Sequence, residues 1–568
     1  MKTSMQCDML VIGSGAAGLA AAVTAAYAGL KVVVAEKAPV FGGTSAFSGG
    51  WLWIPNTPHA VSAGQAEDPL IPTHYIQQVT GHYFKPEHVE NYLHRAPEMV
   101  EFFEQNTEVH FSPGSAVPDF YGEITSARTG WRSLVACPYD ARNLGKYLAL
   151  LRPPIPETTI WGMGVAAGSD MRHFLHATRS LQSAAYVVQR LWKHLQDLWQ
   201  RQRSRQLVNG NALVARLLKS ALDYNVQLRP NMAATALIQN EEGTVIGAEF
   251  ESVHGKVTIH ARSGVVLACG GFPHDKQRLM KWVQHVQQGT PHHSAAPETN
   301  SGDGITLAEK IGAEVGGDIA SPCAWAPVSL VPREDGSIGR FPHLVERGKP
   351  GLIAVNAHGK RFTNESSSYY AFISDLLVST PAEEPVRAWL ICDHKFIRRY
   401  GLGAVKPFPF SMQKWLDNGY LKSAQTLEEL ANLCGISAVL QDTVAIYNQG
   451  AELGEDRQFC RGSNAYQRVQ GDASHQPNPC VAPIKNAPFY AVEIVPGSLG
   501  TFAGIKTDPE ARVLHQDGSV IKGLFAAGND ASSIFGGCYP SGGITLGPAM
   551  TFGYMAAQAI VRQSQQNN

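Results

Sequence analysis

The sequence predicts an α/β fold, and three observations lead to this prediction. An apolar strand, a glycine-rich turn and an alanine-rich helix follow one another near the start of the chain. A second apolar strand, at residues 264–272, also ends in a double glycine. After a stretch rich in proline, tyrosine and irregular loops, residues 483–568 return to the residue composition and pattern of the first part. Together these patterns predict a Rossmann-like domain that is discontinuous in sequence and carries an inserted α+β domain.

The predicted domain boundaries follow from these changes in residue composition and pattern along the chain. At 568 residues the chain is too long for one simple core. We place the first part of the nucleotide-binding domain at residues 1–316, with a helical elaboration at about 137–206. The inserted catalytic or cap domain occupies residues 317–482, and residues 483–568 complete the first domain.

A β-α-β unit opens the chain. Residues 8–13 (DMLVIG) form an apolar run typical of a strand, residues 19–28 are alanine-rich and helical in pattern, and residues 31–36 (KVVVAE) predict the next strand. Between the first strand and the helix stands Gly13-Ser14-Gly15-Ala16-Ala17-Gly18, which fits G-x-G-x-x-G. Strand, glycines, helix, strand and terminal acid agree in order and spacing, and this agreement predicts a dinucleotide site.

Each residue type in this unit has a physical reason. Gly13 allows the tight turn, Gly15 lets the backbone approach a pyrophosphate, and Gly18 lets helix and strand pack closely. The free amides at the helix start then face the phosphates. Glu36, about twenty residues further on, can accept a hydrogen bond from a ribose hydroxyl.

A second loop of glycines and hydroxyl residues follows this acid directly. Glu36 and Lys37 precede Gly42-Gly43-Thr44-Ser45 and Ser48-Gly49-Gly50, an arrangement that suits a permanently held dinucleotide. The stretch resembles the E-K-x(n)-G-G-x-[ST]-x-x-[SA]-G-G sequence of the FAD-binding flavoproteins of the fumarate reductase group. That resemblance covers essentially the whole chain, because three further motifs match, at residues 299–304, 359–365 and 523–553.

The resemblance implies a bound FAD. In this group residues 523–530 place an acid near the ribityl chain, and the helix start at residues 542–550 points its amides at the pyrimidine end of the flavin. The residues that the resemblance assigns to FAD are Gly13, Gly15, Ala16, Ala17, Gly18, Glu36, Lys37, Gly43, Thr44, Ser45, Gly49, Gly50, Asp303, Gly528, Asn529, Thr545 and Leu546.

Between these motifs, helical spacing predicts helices at residues 86–106 and from 209 to about 224. Short apolar runs separated by turns predict a β-meander at residues 226–262. Residues 172–205 are amphipathic and increasingly basic, with Arg190, Lys193, Arg201, Arg203 and Arg205. They predict one long solvated surface helix, and weak association with a membrane surface is the alternative.

The composition excludes several classes of protein. A net charge of -1 gives no reason to expect a nucleic acid partner. The 9 cysteines include no C-x-x-C pair, so neither a disulfide framework nor a zinc site is expected. No signal-peptide layout and no apolar run long enough to cross a membrane is present in the sequence. We therefore expect a cytoplasmic protein.

The substrate class depends on three positions at which fumarate reductases carry cations. This chain has Tyr369 after the 359–365 motif, no histidine in residues 498–504, and tyrosine or small residues at 538–543. Because a buried, unpaired carboxylate is very costly, dicarboxylate chemistry ranks low. An enzyme of that kind acting on a carboxylate or enoate is the alternative, with Arg142, Arg347 and Arg361 as candidate cations. A non-enzymatic flavin carrier is a third hypothesis, without a haem or iron–sulfur motif to support it.

Tyr539 with Gly543 four residues on resembles the 3-ketosteroid Δ1-dehydrogenases. There a tyrosine hydroxyl and a glycine amide bind the 3-keto oxygen and stabilise the developing enolate. A second tyrosine takes the C2 proton while flavin N5 receives hydride from C1. Tyr369 matches this base, although Tyr370 competes for the role, and Tyr121 matches a supporting tyrosine. The resemblance implies an apolar steroid-like ketone as substrate and a quinone or other electron acceptor, and leaves desaturation at C4–C5 open.

Overall fold

A computed structural model describes residues 3–166, 168–200, 203–316 and 318–566. Arg201 and Gly317, which were used above, lie outside the described residues. The helices are α1 (Ala16–Tyr27), α2 (Pro58–Ser62), α3 (Leu70–Thr80), α4 (Pro86–Asn106), α5 (Ser169–His176), α6 (Leu181–Trp199), α7 (Asn209–Asp223), α8 (Lys276–Trp282), α9 (Gln284–Gln287), α10 (Asp303–Glu309), α11 (Tyr369–Ser379), α12 (His394–Tyr400), α13 (Gln413–Asp417), α14 (Leu427–Cys434), α15 (Leu440–Ala451), α16 (Ala465–Gln470) and α17 (Leu546–Gln566).

The strands are β1 (Thr3–Ile12), β2 (Val32–Ala35), β3 (Trp51–Trp53), β4 (Phe111–Pro113), β5 (Ser133–Ala136), β6 (Tyr139–Asp140), β7 (Gln206–Leu207), β8 (Gln227–Arg229), β9 (Met232–Gln239), β10 (Val245–Ser252), β11 (Gly255–Leu267), β12 (His293–Ser294), β13 (Val315–Gly316), β14 (Cys323–Pro332), β15 (Ile338–Pro342), β16 (Leu352–Asn356), β17 (Ala388–Asp393), β18 (Lys422–Ala424), β19 (Phe489–Thr501), β20 (Gly504–Ile505), β21 (Arg512–Leu514) and β22 (Val520–Ala526).

The main sheet brings the two ends of the chain together. Its central strands lie in the order β22-β11-β1-β2-β8 and pair in parallel. The antiparallel strands β21, β10 and β9 extend it. Because parallel strands need cover on both faces, their central residues are apolar, as in β1, where residues 9–12 are all buried. The predicted α/β class is confirmed.

Helices α1 and α17 pack against one face of this sheet and against each other. They approach so closely that a Cβ added at Gly553 would lie 2.3 Å from the carbonyl oxygen of Ala17. Small residues in both helices permit this distance. The first and last helices are therefore locked together directly beside the turn that follows β1.

A second, mainly antiparallel sheet has the order β15-β14-β19-β17-β16. Its central strand, β19, lies after residue 482, whereas β14 to β17 lie between 317 and 482. The sheet thus joins the proposed insert to the chain that follows it. The division into domains at 316 and 482 stays a prediction.

Several predicted elements are confirmed. The helix at 86–106 has the predicted bounds, and α7 ends one residue before the predicted end near 224. The meander is formed by β9, β10 and β11. Of the strand predicted at 264–272, residues 264–267 form the last part of β11, beside β1 in the main sheet, and the strand ends at Leu267.

The predicted long helix at 172–205 is wrong in one respect, because the structure divides it into α5 and α6. The first helix ends at His176, and Ser180, which has an extended backbone, precedes the second helix. Its hydroxyl accepts a hydrogen bond from the Ser183 amide (3.3 Å) and caps α6. Among the described residues, no helix has the length and apolar character needed to cross a bilayer.

Candidate active site

A cavity lies at the carboxyl ends of the parallel strands. Gly13 follows β1, Glu36 follows β2, Ala268 follows β11 and Gly528 lies just after β22, and all four residues line the cavity. Ligands of open parallel sheets bind in this crevice. The main sheet therefore brings residues from both ends of the chain to one site.

The first glycine turn is shaped by contacts that exclude side chains. Gly13 has φ +105°, and an added Cβ would lie 2.1 Å from the carbonyl oxygen of Ala268. A Cβ on Gly18 would lie 2.1 Å from the carbonyl oxygen of Gly13. By contrast, a Cβ on Gly15 would meet only Ser45 Oγ, at 3.5 Å. Gly13 and Gly18 thus close the turn, and Gly15 leaves its cavity side open for a ligand.

The start of α1 faces the second glycine loop. The Ala16 amide donates to Ser45 Oγ (2.9 Å), and Thr44 Oγ1 accepts from Asn300 Nδ2 (2.9 Å). A helix start offers amide donors and a positive dipole end to an anion. Asn300, which also lines the cavity, lies in the 299–304 motif but was not among the residues assigned from the sequence.

Glu36 is buried at the cavity wall, and protein donors use part of the hydrogen-bonding capacity of its carboxylate. It accepts hydrogen bonds from the Ser14 amide (3.1 Å), the Ser14 hydroxyl (2.5 Å) and the Ala38 amide (2.8 Å). A carboxylate has about four acceptor positions, so one position remains for a ligand hydroxyl. The turn residues therefore orient this acid for a ribose.

Nearly all residues predicted to hold the cofactor line the cavity. Gly18 is the exception, since it packs α1 against β1, as its place in the motif predicts. The predicted residues that line the cavity are Gly13, Gly15, Ala16, Ala17, Glu36, Lys37, Gly43, Thr44, Ser45, Gly49, Gly50, Asp303, Gly528, Asn529, Thr545 and Leu546.

Asp530, the acid expected near the ribityl chain, does not line the cavity and lies behind residues that do. Asp530 is fully buried, and its carboxylate accepts hydrogen bonds from the Cys269 amide (2.5 Å) and the Gly271 amide (2.9 Å). Burial raises the pKa of this carboxyl. Asp530 thus joins the turn after β22 to the turn after β11, while Gly528 and Asn529 face the cavity.

One end of the cavity is aromatic. The ring of Tyr539 stacks on Phe120 (5.6 Å between centroids) and meets the edge of Tyr369 (5.1 Å). Phe120 also contacts Tyr466 (4.6 Å). Leu344, Val345 and Leu499 complete this end. Such a wall suits an apolar molecule that offers few polar groups.

Hydrogen bonds to its backbone fix the position of the turn that carries Tyr539. The Pro540 carbonyl accepts hydrogen bonds from the Tyr75 hydroxyl (2.6 Å) and the Phe120 amide (3.2 Å). Gly543 has φ +102°, and an added Cβ would lie 2.7 Å from the Trp53 nitrogen. Only glycine fits there without movement of β3.

Burial keeps the hydroxyls of Tyr539 and Tyr369 protonated at neutral pH. It raises the pKa of Tyr539 to about 12, although hydrogen bonds with Tyr369 and Thr545 oppose that rise. Burial, and next the nearby Tyr539, raise the pKa of Tyr369 well above its usual value. Tyr539 is therefore a reliable hydrogen-bond donor across the physiological range.

The structure does not bring Tyr121 to the cavity. Phe120 lines it instead, and a hydrogen bond from its amide to the Pro540 carbonyl fixes its place beside Tyr539. Tyr370 also lies outside the lining, where its hydroxyl donates to the Gly537 carbonyl (3.0 Å). Sequence reasoning missed Phe120 by one position, and it missed Tyr466 because no motif surrounds that residue.

The three arginines that were candidates to bind a carboxylate substrate do not line the cavity and interact with other parts of the protein. Arg361 pairs with Glu365 (2.7 Å) and Asp456 (2.8 Å) in the protein interior. Arg347 is buried and donates to backbone carbonyls, including that of Glu365 (2.9 Å). Arg142 is exposed and pairs with a neighbouring aspartate.

A single basic side chain lines the cavity within the described part of the chain. This residue is Lys37, and its ammonium group pairs with Asp303 (2.6 Å) and contacts the Ser301 hydroxyl (2.7 Å). It lies near the β2 end of the cavity, away from the aromatic end. The aromatic end thus offers hydroxyl and amide donors to a neutral oxygen and no cation to a carboxylate.

Comparison with known proteins agrees with this geometry. The family model described as FAD binding domain matches residues 8–546. The chain is 38% identical to 4-oxocyclohex-2-ene-1-carboxylate 5-dehydrogenase of Sinomonas cyclohexanicum, over 98% of this chain and 94% of that protein. It is 36% identical to 3-oxosteroid 1-dehydrogenase of Mycobacterium tuberculosis, over 99% of both.

Among solved structures, the chain is similar to 3-ketosteroid delta1-dehydrogenase from Sterolibacterium denitrificans in complex with 1,4-androstadiene-3,17-dione. The TM-score is 0.88 and the identity 34%, with 98% of this chain and 99% of that chain covered. A flavocytochrome c3 fumarate reductase has a TM-score of 0.64 at 22% identity, over 99% of this chain and 79% of that chain. This second likeness shows a common fold.

Proposed function

Because this chain belongs to the FAD binding domain family and is an FAD-dependent oxidoreductase, we propose that it dehydrogenates the carbon–carbon bond beside a ring ketone. The favoured reaction introduces the C1–C2 double bond into 3-ketosteroids. The observation that carries the proposal is the aromatic end of the cavity, where Tyr539 and Gly543 lie together and the described lining carries no cation.

The residues of the cavity suit FAD. An open backbone at Gly15, the start of α1 and the remaining acceptor position of Glu36 lie in the order that a pyrophosphate and a ribose require. When bound, FAD supplies the hydride acceptor for the reaction.

The substrate ketone is bound by two donors. The Tyr539 hydroxyl remains protonated, since its pKa is raised to about 12, and it donates to the carbonyl oxygen together with the Gly543 amide. These donors stabilise the negative charge that develops on the oxygen as the neighbouring carbon loses its proton. Tyr369, whose ring meets Tyr539, is the proposed acceptor of that proton.

The rate should rise with pH. Since the pKa of Tyr369 lies well above its usual value, only a small fraction is ionised between about pH 6 and 10, and this fraction grows as pH increases. Tyr539 stays protonated over that range, so no falling limb is expected. Measurement of kcat/KM against pH tests this, and Tyr369→Phe should flatten the profile. A decline of the wild-type profile below about pH 9 would contradict the assignment.

Tyr121→Phe should leave kcat/KM within about twofold of the wild type, because its hydroxyl lies outside the cavity lining. Steady-state assays of this variant beside Tyr369→Phe test the placement. A loss comparable to that of Tyr369→Phe would restore Tyr121 to the catalytic machinery.

The reaction class is tested by anaerobic mixing of the FAD-loaded protein with androst-4-ene-3,17-dione while the flavin absorbance is followed. Rapid bleaching supports the proposal. Persistent yellow colour with FAD still bound would exclude simple 3-ketosteroids as substrates. We propose a quinone as the electron acceptor, and reoxidation of the bleached protein by a soluble quinone tests that step.

A small 4-oxocyclohexenecarboxylate is a second candidate substrate, favoured by the 38% identity to a dehydrogenase of that compound. It shares the ring ketone that the two donors recognise. Its carboxylate would have to face solvent, since the only basic residue in the described lining, Lys37, is paired with Asp303. Bleaching by this acid but not by the steroid would favour it.

A further inference from the structure

Helix α6 exposes the face that a helix in a globular protein normally buries. Six of its large apolar residues are exposed to solvent, with Leu181 92% and Trp199 87% exposed. We call this the outer stripe, and its members are Leu181, Val188, Trp192, Leu195, Leu198 and Trp199.

The opposite face of α6 is polar and buried. Arg190, His194 and Asp197 are each less than a tenth exposed, and each contacts a polar group of an adjoining segment of the same chain. The pairs are Arg190 Nη2–Asp170 Oδ2 (3.6 Å), His194 Nε2–Trp161 O (3.0 Å) and Asp197 Oδ1–Arg205 Nε (2.8 Å). Rotating the helix to bury the outer stripe would break all three contacts. These three contacts therefore fix the helix with its polar face inward and its apolar face outward.

The exposed charges of the segment that carries the outer stripe have one sign. Within residues 168–200, the exposed ionic side chains are Arg172, Arg179 and Lys193, whereas both acids, Asp170 and Asp197, are buried in ion pairs. An apolar stripe with two tryptophans, in a segment whose exposed charges are basic, matches the surface of an anionic bilayer. Two copies of the chain meeting through this face would instead bring like charges together.

The same segment leads to the cavity. Ile155 lines the cavity wall, and the loop from Ile155 to Gly164 lies beneath α6, where the Gly164 carbonyl accepts from Arg190 Nη2 (3.2 Å). We propose that the outer stripe of α6 docks the protein on anionic lipid membranes. This proposal goes beyond the ketone dehydrogenation, because docking requires no turnover.

Flotation of the full-length, FAD-loaded protein with vesicles tests the proposal. Vesicles of phosphatidylcholine mixed with an equal part of phosphatidylglycerol should carry the wild type upward. The variant L181Q/W192Q/W199Q should partition about tenfold less, because it loses the buried apolar area. A matched control, V378Q/I446Q/L453Q, removes three exposed apolar residues elsewhere and should float like the wild type.

A second variant keeps the test independent of the folding of the first. R179E/K193E should reduce partitioning onto the anionic vesicles about tenfold and change little on pure phosphatidylcholine. Bound FAD per chain, read from the absorbance spectrum, confirms that each variant is folded. Equal flotation of the wild type and both variants, or no flotation of the wild type, would overturn the proposal. A wild-type dimer that L181Q/W192Q/W199Q converts to monomer would also overturn it, since a second copy would then cover the stripe.

Discussion

Replacing Tyr539 by phenylalanine should lower kcat/KM for a 3-ketosteroid by about 10²–10³-fold, the effect of removing one donor from a carbonyl clamp. The stacking of the ring on Phe120 persists in this variant, so the cavity keeps its shape. Steady-state assays with androst-4-ene-3,17-dione and an artificial electron acceptor measure the loss. The FAD content should remain that of the wild type.

Tyr370→Phe is the matched control for this prediction. It removes a tyrosine hydroxyl from the same neighbourhood, but one that donates to the Gly537 carbonyl rather than into the cavity. Its kcat/KM should stay within a few-fold of the wild type. If both variants lost activity equally, or Tyr539→Phe remained fully active, the carbonyl clamp would be wrong.

Glu365→Gln should destabilise the protein by about 3–5 kcal/mol, the usual cost of breaking a buried ion pair from one side. The Glu365 carboxylate is fully buried and bonds to Arg361 (2.7 Å) and Arg461 (3.2 Å). Without its charge, both guanidinium groups lose an anionic partner in the interior. Chemical denaturation followed by tryptophan fluorescence measures the effect.

An exposed acid provides the comparison for this variant. Glu383→Gln removes the same charge from a solvent-exposed loop and should change the free energy of unfolding by less than about 0.5 kcal/mol. Equal destabilisation of the two variants would show that the buried network contributes nothing specific. Because Tyr369 follows Glu365 by four residues, Glu365→Gln should also weaken turnover.

The cofactor cavity could be predicted from the sequence because its requirements are local. Gly13 needs a positive φ, Gly18 needs a close approach between helix and strand, and Glu36 needs a fixed distance along the chain. Each requirement restricts a residue type at a given spacing, so the motif reveals it. The structure brings these residues together at the ends of the parallel strands.

The aromatic end could be predicted only in part, because it depends on contacts between distant segments. Tyr539 and Tyr369 followed from their motifs, but whether Phe120 or Tyr121 faces the cavity depends on a hydrogen bond to Pro540, more than 400 residues away. The orientation of α6 could not be predicted from the sequence either. Its pattern is that of an ordinary amphipathic helix, and only the ion pairs of Arg190 and Asp197 show which face is inside.

The closure of the main sheet by β22 and α17 also constrains the order of events during synthesis. The strand β11 acquires its outer neighbour, and α1 its partner, only after residues 520–566 have been made. Until then the nascent chain exposes one edge of the sheet and an alanine-rich helix face, and lacks Gly528 and Thr545 for the flavin. Because Gly528 and Thr545 line the cavity, the complete flavin site can form only after these last residues have been made.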